Sequence, residues 1–399
     1  MSASDYPGLL GGVLVVDLSR ALAGPHASMM LGDLGARVIK IEAPIGGDDT
    51  RGWGPPFAMP PGPDSSQRES TYFLSANRNK ESVVLDLKQA ADLDTLRSLI
   101  RRADVIVENF RTGVLDRLGL STEQLFALNP LLVILSITGF GHDGPEAERA
   151  GYDQIVQGEA GLMSVTGAIP SDPQKTGVPI ADLLAGIHGA QGVLAALYAR
   201  ERTGHGAVVR TSLLASVIGV HGFQGTRWTV AHEVGRAQGN HHPSIAPYGL
   251  FACADGAVQI AVGSERLWAR FCDAFGLDSH DSRLATNPGR VAHRDETIAL
   301  VEKLFAQWPA KALLERLGEV GIPAGRVRSV DEVYAWDQVY SQGLLIEVDH
   351  DSLGPLTLPG PPLRFFDTNG AEQTRTHHRA PPTLDADSAA VRCWLSGTA

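Results

Sequence analysis

The sequence predicts an α/β protein: a large Rossmann-like domain built on an open parallel sheet, with a smaller α+β domain after it. Three observations predict this. Short apolar runs rich in β-branched residues, such as Val13-Leu14-Val15-Val16-Asp17, alternate with segments of helical periodicity through the first half of the chain. Strand–helix–strand alternation implies parallel pairing, because the helix is the crossover that returns the chain to the same edge. At 399 residues the chain exceeds the size at which one core usually stops growing, and its texture changes near residue 235.

The elements follow in order. After the first strand comes a loop, Ser19 to Pro25, then a helix from His26 to Leu34 stopped by Gly35, which suits a left-handed end. Arg37 to Glu42 is the second strand. Val83 to Leu87 reads as a strand, Ala90 to Arg102 as a helix and Val105 to Glu108 as a strand. Ser121-Thr122-Glu123-Gln124 has capping-box spacing at a helix start. Leu131 to Ile137 is a further strand. A long helix from Asp182 to Arg202 carries Leu183, Leu184, Ile187, Ala190, Val193, Leu194 and Leu197 at helical spacing. Thr203-Gly204-His205-Gly206 turns into a strand, Ala207 to Thr211, and a helix, Ser212 to Val220.

The smaller domain begins with a loop at Asn240-His241-His242-Pro243. A strand from Val258 to Val262 follows, with helices near Ser264–Phe275, Glu296–Trp308 and Ala310–Leu317. Beyond Gly325 the chain is rich in Pro and Gly, a texture expected to wrap a surface. The predicted division is 1–220 for the large domain, 221–325 for the small one and 326–399 for a tail that returns to the large domain.

Composition excludes some classes. A net charge of -11 argues against a nucleic-acid partner, which needs a basic face. It leaves room for a local anion site made by a few arginines and helix N-termini. Cys253, Cys272 and Cys393 are scattered and form no C-x-x-C pair, so a reducing, cytoplasmic setting is expected. The N-terminal stretch lacks the basic and apolar regions of a secretory signal. No apolar run reads as long enough to span a bilayer, so no membrane partner is expected.

Ala23-Gly24-Pro25 stands where a dinucleotide fingerprint would carry G-x-G-x-x-G. P-loop, H-E-x-x-H and G-x-S-x-G patterns are absent, and the doublets His241-His242 and His377-His378 need no metal to explain them. The sharpest point is Asp182, in Gly177-Val178-Pro179-Ile180-Ala181-Asp182, where the long apolar helix begins. An Asp there serves as an N-cap. A carboxylate is also a covalent nucleophile. The spacing leaves both readings open.

The ordered segments Ala23-Gly24-Pro25, Leu34 to Glu42, Gly47-Asp48-Asp49-Thr50-Arg51-Gly52, Val107 to Arg111, Leu115 to Gly119, Gly151-Tyr152-Asp153, the Asp182 segment and Thr203 to Gly206 together resemble a class III CoA-transferase. This is the family of formyl-CoA transferase and carnitine CoA-transferase, and the resemblance spans nearly the whole chain. It implies that Asp182 attacks the donor acyl-CoA, forms a mixed anhydride, and then carries CoA as an aspartyl thioester to an acceptor carboxylate. It implies coenzyme A as a substrate with no permanently bound cofactor, and contacts to it from Leu22, Ala23, Asn77, Arg78, Asn109, Phe110, Arg117 and Phe140. Arg78 and Arg117 suit phosphate, since guanidinium makes bidentate charge-assisted bonds. Tyr152 and His242 are the candidate contacts to the acyl group.

There are departures from formyl-CoA transferase. Ala43-Pro44 stands where that enzyme has Arg, and the loop Ile137-Thr138-Gly139-Phe140 lacks its Lys. The segment Gly239 to Tyr248 replaces its glycine-rich loop and resembles members that use succinyl-CoA and dicarboxylic acids such as glutarate. The resemblance further implies an interlocked homodimer in which each chain forms a ring. Three other readings stand beside it: an α-methylacyl-CoA racemase, which would need a His where Tyr152 stands; a noncatalytic CoA-binding protein; and an NAD oxidoreductase, which lacks its glycine fingerprint.

Overall fold

Six strands pair in parallel: β1 (Leu14–Asp17), β2 (Arg37–Glu42), β3 (Lys80–Val84), β4 (Val105–Glu108), β5 (Val133–Thr138) and β6 (Ala207–Ser212). Their order across the sheet is β3-β2-β1-β4-β5-β6, and every neighbouring pair runs the same way. This is the 3-2-1-4-5-6 order of a doubly wound sheet, whose direction of winding reverses between β1 and β4. The computed structural model describes residues 8–60 and 68–397. The first seven residues, part of the stretch read for a secretory signal, lie outside them.

Both faces of the sheet are covered, which is why the strands are apolar almost throughout. Successive side chains point to opposite faces. Val15, Val107, Val133 and Leu135 pack with Ala27 and Leu31 of the first helix (Ala23–Asp33) and with Ala185 and Val193 of the long helix (Ile180–Thr203). Leu14, Val16, Ile106 and Ile134 face Leu96, Leu99 and Leu125 on the other side. The two helices touch closely: a Cβ on Gly186 would lie 2.8 Å from the Ala23 carbonyl oxygen.

The long helix corrects one reading, that no apolar run is long enough to span a bilayer. By length and composition alone it is long and apolar enough to cross one. Ala181, Ala185, Gly189, Ala190, Val193 and Leu197 are buried in the protein, and the helix lies against the sheet with Leu135 beside Gly189.

The chain divides into two compact units, residues 1–162, 176–226 and 338–399 in one and residues 163–175 and 227–337 in the other. The second holds a small antiparallel sheet of Tyr248–Cys253, Gly256–Ala261 and Ala324–Gly325. Its core is aromatic, with Phe251, Trp268, Phe271 and Phe305 buried among Val258, Ile260 and Leu313.

The tail does more than wrap a surface. It forms a hairpin, Leu345–His350 with Gly354–Pro359, and a helix, Ser388–Ser396, whose Val391 enters the core of the large unit. It also covers the sheet edge: Asp387 bonds both the N–H and C=O of Ser82 on β3, and Asp385 accepts the Val84 N–H at 2.9 Å. Covering an edge strand removes a template for aggregation.

Candidate active site

The loops after β1 and β4 meet where the winding reverses, the place at which open α/β sheets bind ligands. Asn109 bridges them. Its Oδ1 accepts the Arg20 N–H at 2.9 Å and its Nδ2 donates to the Arg20 carbonyl at 2.7 Å. The next residue, Ala21, sits at φ 65°, a left-handed conformation that only glycine adopts freely. Its N–H is held by Asp48 at 3.2 Å.

Beneath this turn lies a buried ion cluster. Lys80 Nζ is 3.0 Å from Asp17, and Lys40 Nζ is 2.8 Å from Asp48. Burial alone would raise the Asp17 pKa, but Lys80 and Lys40, with hydroxyls of Ser19 and Ser28, bring it down to about 2. Burial and the neighbouring Lys40 lower Lys80 to about 8, with Asp17 opposing. The cluster fixes the floor of a cavity of about 250 Å³ lined by Ser19, Arg20, Lys40, Lys88 and Phe110, among others.

Asp182 lies in the first turn of the long helix, but it is not the N-cap. Pro179 occupies that position, without a side-chain cap bond. The Asp153 carboxylate accepts the Ala181 N–H instead, at 2.8 Å. Capping therefore does not account for Asp182, and among the described residues no hydrogen bond or ion pair reaches its carboxylate. Burial first, and the Asp153 charge second, push its pKa up to about 7. A carboxyl poised near neutrality and free of structural partners is what a functional acid or nucleophile requires.

Tyr72 shares this environment. Burial, then the charges of Asp182 and Asp153, raise its pKa to about 12, so its hydroxyl stays protonated. It packs edge-on against Trp53 with centroids 5.0 Å apart. Asp153, Tyr72 and Trp53 were missed by sequence reasoning. Only the tertiary fold brings these distant segments to the helix start, although Asp153 lies in a segment already singled out.

The other sequence-predicted residues separate into groups. Leu22 and Ala23 are buried at the start of the first helix, and Ala23 meets Gly186 one turn along from Asp182. Phe110 lines the cavity beside the Asn109 bridge. Asn77 and Arg78 are not brought there. Asn77 is buried, bonded to the Phe73 carbonyl and to Lys80. Arg78 is bidentate to Asp33 at 2.6 and 2.8 Å, so its fork is already occupied. Arg117 is exposed on a short helical turn. Phe140 lies under the Arg149 guanidinium at 4.5 Å. Tyr152 is 67% exposed, just before the helix that begins at Asp153. Gly139 and Gly151 approach so closely that a Cβ on Gly139 would lie 2.7 Å from the Gly151 Cα, which binds the loop after β5 to the Tyr152-Asp153 segment.

His242 belongs to the second unit. Its ring stacks on Tyr248 with centroids 5.1 Å apart, and Arg294 donates to the carbonyls of His242 and Pro243, the latter at 2.7 Å. Burial, then Arg294, lower the His242 pKa.

A doubly wound sheet with a pocket at its reversal point and, among the described residues, an unpaired near-neutral carboxyl at a helix start has the features of an enzyme site. The chain matches the model of CoA-transferase family III over residues 10–388 and belongs to that family. It is 39% identical to a succinate–glutarate CoA-transferase of Agrobacterium fabrum, covering 89% of this chain and 91% of the relative. It is 35% identical to the human succinyl-CoA:glutarate CoA-transferase, covering 94% and 83%. A CaiB/BaiF family protein of Brucella suis has the same fold, with a TM-score of 0.84 and 38% identity over 97% of this chain and 99% of that one.

Proposed function

We propose that this CoA-transferase moves CoA from succinyl-CoA to a small dicarboxylate such as glutarate, with Asp182 as the covalent carrier. The observation that carries the mechanism is the isolation of Asp182: burial and Asp153 hold its pKa near 7, and among the described residues no hydrogen bond or ion pair engages its carboxylate. The choice of acids rests on relatives named for succinyl-CoA and glutarate.

The Asp182 carboxylate attacks the thioester carbonyl. The C–S bond breaks, leaving a mixed anhydride on Asp182 and a CoA thiolate. The thiolate attacks the aspartyl carbonyl and expels the donor carboxylate, giving an aspartyl-CoA thioester. The acceptor carboxylate then attacks this thioester, and the returned thiolate takes the acceptor's acyl group and frees Asp182. No net proton is consumed, and the thioester bond energy is kept in covalent form. The Asp182 N–H, which has no acceptor among the described residues, is a donor for the developing oxyanions. The cavity at the β1–β4 reversal holds the nucleotide end of CoA, with Asn109 and Phe110 shaping it.

The racemase reading is less favoured, because Tyr152 stands where that acid/base chemistry needs a histidine. A homodimer is supported by Ile187, Leu194 and Tyr198, which stand exposed on one face of the long helix. The free cysteines support a reducing, cytoplasmic setting.

The test is intact-mass analysis after incubation with a panel of acyl-CoAs, with hydroxylamine trapping. An adduct on Asp182 that is absent from Asp182→Asn is expected, strongest with succinyl-CoA. CoA binding without any adduct across the panel would remove Asp182 as the carrier.

A further inference from the structure

Behind the Asn109–Phe110 loop, the main sheet carries a polar chain that the transfer chemistry does not use. Glu108, the last residue of β4, is buried. Its Oε2 accepts the Phe110 N–H at 2.9 Å. Its Oε1 accepts the hydroxyl of Ser136, its register partner on β5. Ser136 Oγ in turn lies 2.7 Å from His142 Nε2. The three line a cavity of about 120 Å³ that Arg111 and Arg210 also border. Phe110 borders both this cavity and the larger one at the β1–β4 reversal.

A buried carboxyl is a poor choice for stability alone. An apolar residue at the same position would avoid its desolvation cost, and burial does raise the Glu108 pKa against the bonds from Ser136 and Phe110. What an apolar residue would not do is hold the Phe110 backbone. That backbone adjoins Asn109, whose side chain takes both polar groups of the Arg20 peptide. Arg20 leads directly into Ala21, with its left-handed φ of 65°. The bonds therefore run without a break from His142 through Ser136 and Glu108 to the loop that clamps the turn after β1.

We infer that His142, Ser136 and Glu108 are positioning residues that set the shape of the coenzyme A pocket, and so the affinity for acyl-CoA, by locking the Asn109–Phe110 loop against the Arg20–Ala21 turn. This rests on the reading of the larger cavity as the nucleotide end of the CoA site.

The experiment compares the full-length wild type with Ser136→Ala, His142→Ala and Glu108→Gln, by kinetics with succinyl-CoA and glutarate and by calorimetric binding of free CoA. For Ser136→Ala and His142→Ala, the KM for succinyl-CoA and the Kd for CoA should each rise about five- to tenfold, the scale of one lost buried hydrogen bond. The kcat and the KM for glutarate should stay within about twofold, as expected when only binding of one substrate is lost. Glu108→Gln leaves one acceptor oxygen where the Phe110 N–H and the Ser136 hydroxyl use two, and should raise the same two constants in the same direction. Unchanged CoA affinity in folded Ser136→Ala or His142→Ala overturns the inference, as does a parallel loss for both substrates. His142 is only half-buried, so its variant still tests the chain even if Ser136→Ala does not fold. A wild type that binds CoA but transfers it from no donor refutes the transferase mechanism alone, and the CoA Kd values still decide the positioning chain. A wild type that binds no CoA overturns both.

Discussion

The Asp153 carboxylate accepts the N–H of Ala181, the residue before Asp182, at 2.8 Å, and its charge is the second cause, after burial, of the raised Asp182 pKa. One carboxylate thus caps the helix and leaves the other free. Replacing Asp153 by Asn keeps a side-chain acceptor for Ala181 and removes the charge. The pH at which adduct formation with acyl-CoA becomes half-maximal should move to lower pH in Asp153→Asn, measured as single-turnover acylation from about pH 5 to 9. An unmoved profile would mean that burial alone sets the Asp182 pKa.

Asp182→Asn should lower transfer by about 10³-fold or more, the scale seen when a covalent nucleophile is removed. Stability should move the other way. The folded pKa of Asp182, about 7, lies above the ordinary value of 3.8, so the folded state binds more protons between these values, and wild-type stability falls as pH rises through that window. Asp182→Asn lacks this loss. Urea unfolding at pH 8 should find it more stable than wild type by on the order of 2 kcal/mol, discounting for partial exposure, with the gap closing by about pH 4.

The buried cluster under the turn after β1 gives the opposite sign. The Asp17 pKa, brought down to about 2 chiefly by Lys80 and Lys40 against burial, contributes stability above about pH 4 that is lost as pH falls toward 2. Asp17→Asn leaves both lysines buried with one anion fewer, and should cost about 3–5 kcal/mol in urea unfolding at pH 7. A cost under about 1 kcal/mol would show that the lysines find other compensation.

Arg294 holds the His242 and Pro243 carbonyls. Arg294→Ala should leave both carbonyls without this donor and lower stability by about 1–3 kcal/mol, the scale of one or two charge-assisted bonds, in urea unfolding at pH 7. A change under about 0.5 kcal/mol would mean that other donors take over the two carbonyls.

The sequence by itself determined the parallel α/β architecture, because strand and helix periods leave a direct trace in the order of apolar residues. It located β1, β2, β4, β5, β6 and the long helix within a few residues, and the capping box at Ser121 and Gln124 is present as read. It singled out Asp182 by resemblance, while local spacing could not separate a cap from a nucleophile. Only the tertiary structure removed the cap reading, because a cap is defined by which N–H the carboxylate reaches, and here that carboxylate is Asp153. The same holds for the arginines. Arg78 and Arg117 have the same chemistry in sequence, but the fold buries one against Asp33 and leaves the other exposed. The tail's edge-covering bonds to β3 join residues about 300 positions apart, a pairing that no local rule of propensity encodes. Burial, charge proximity and hydrogen-bond partnership are pairwise properties of the folded chain, so they appear only once distant segments meet.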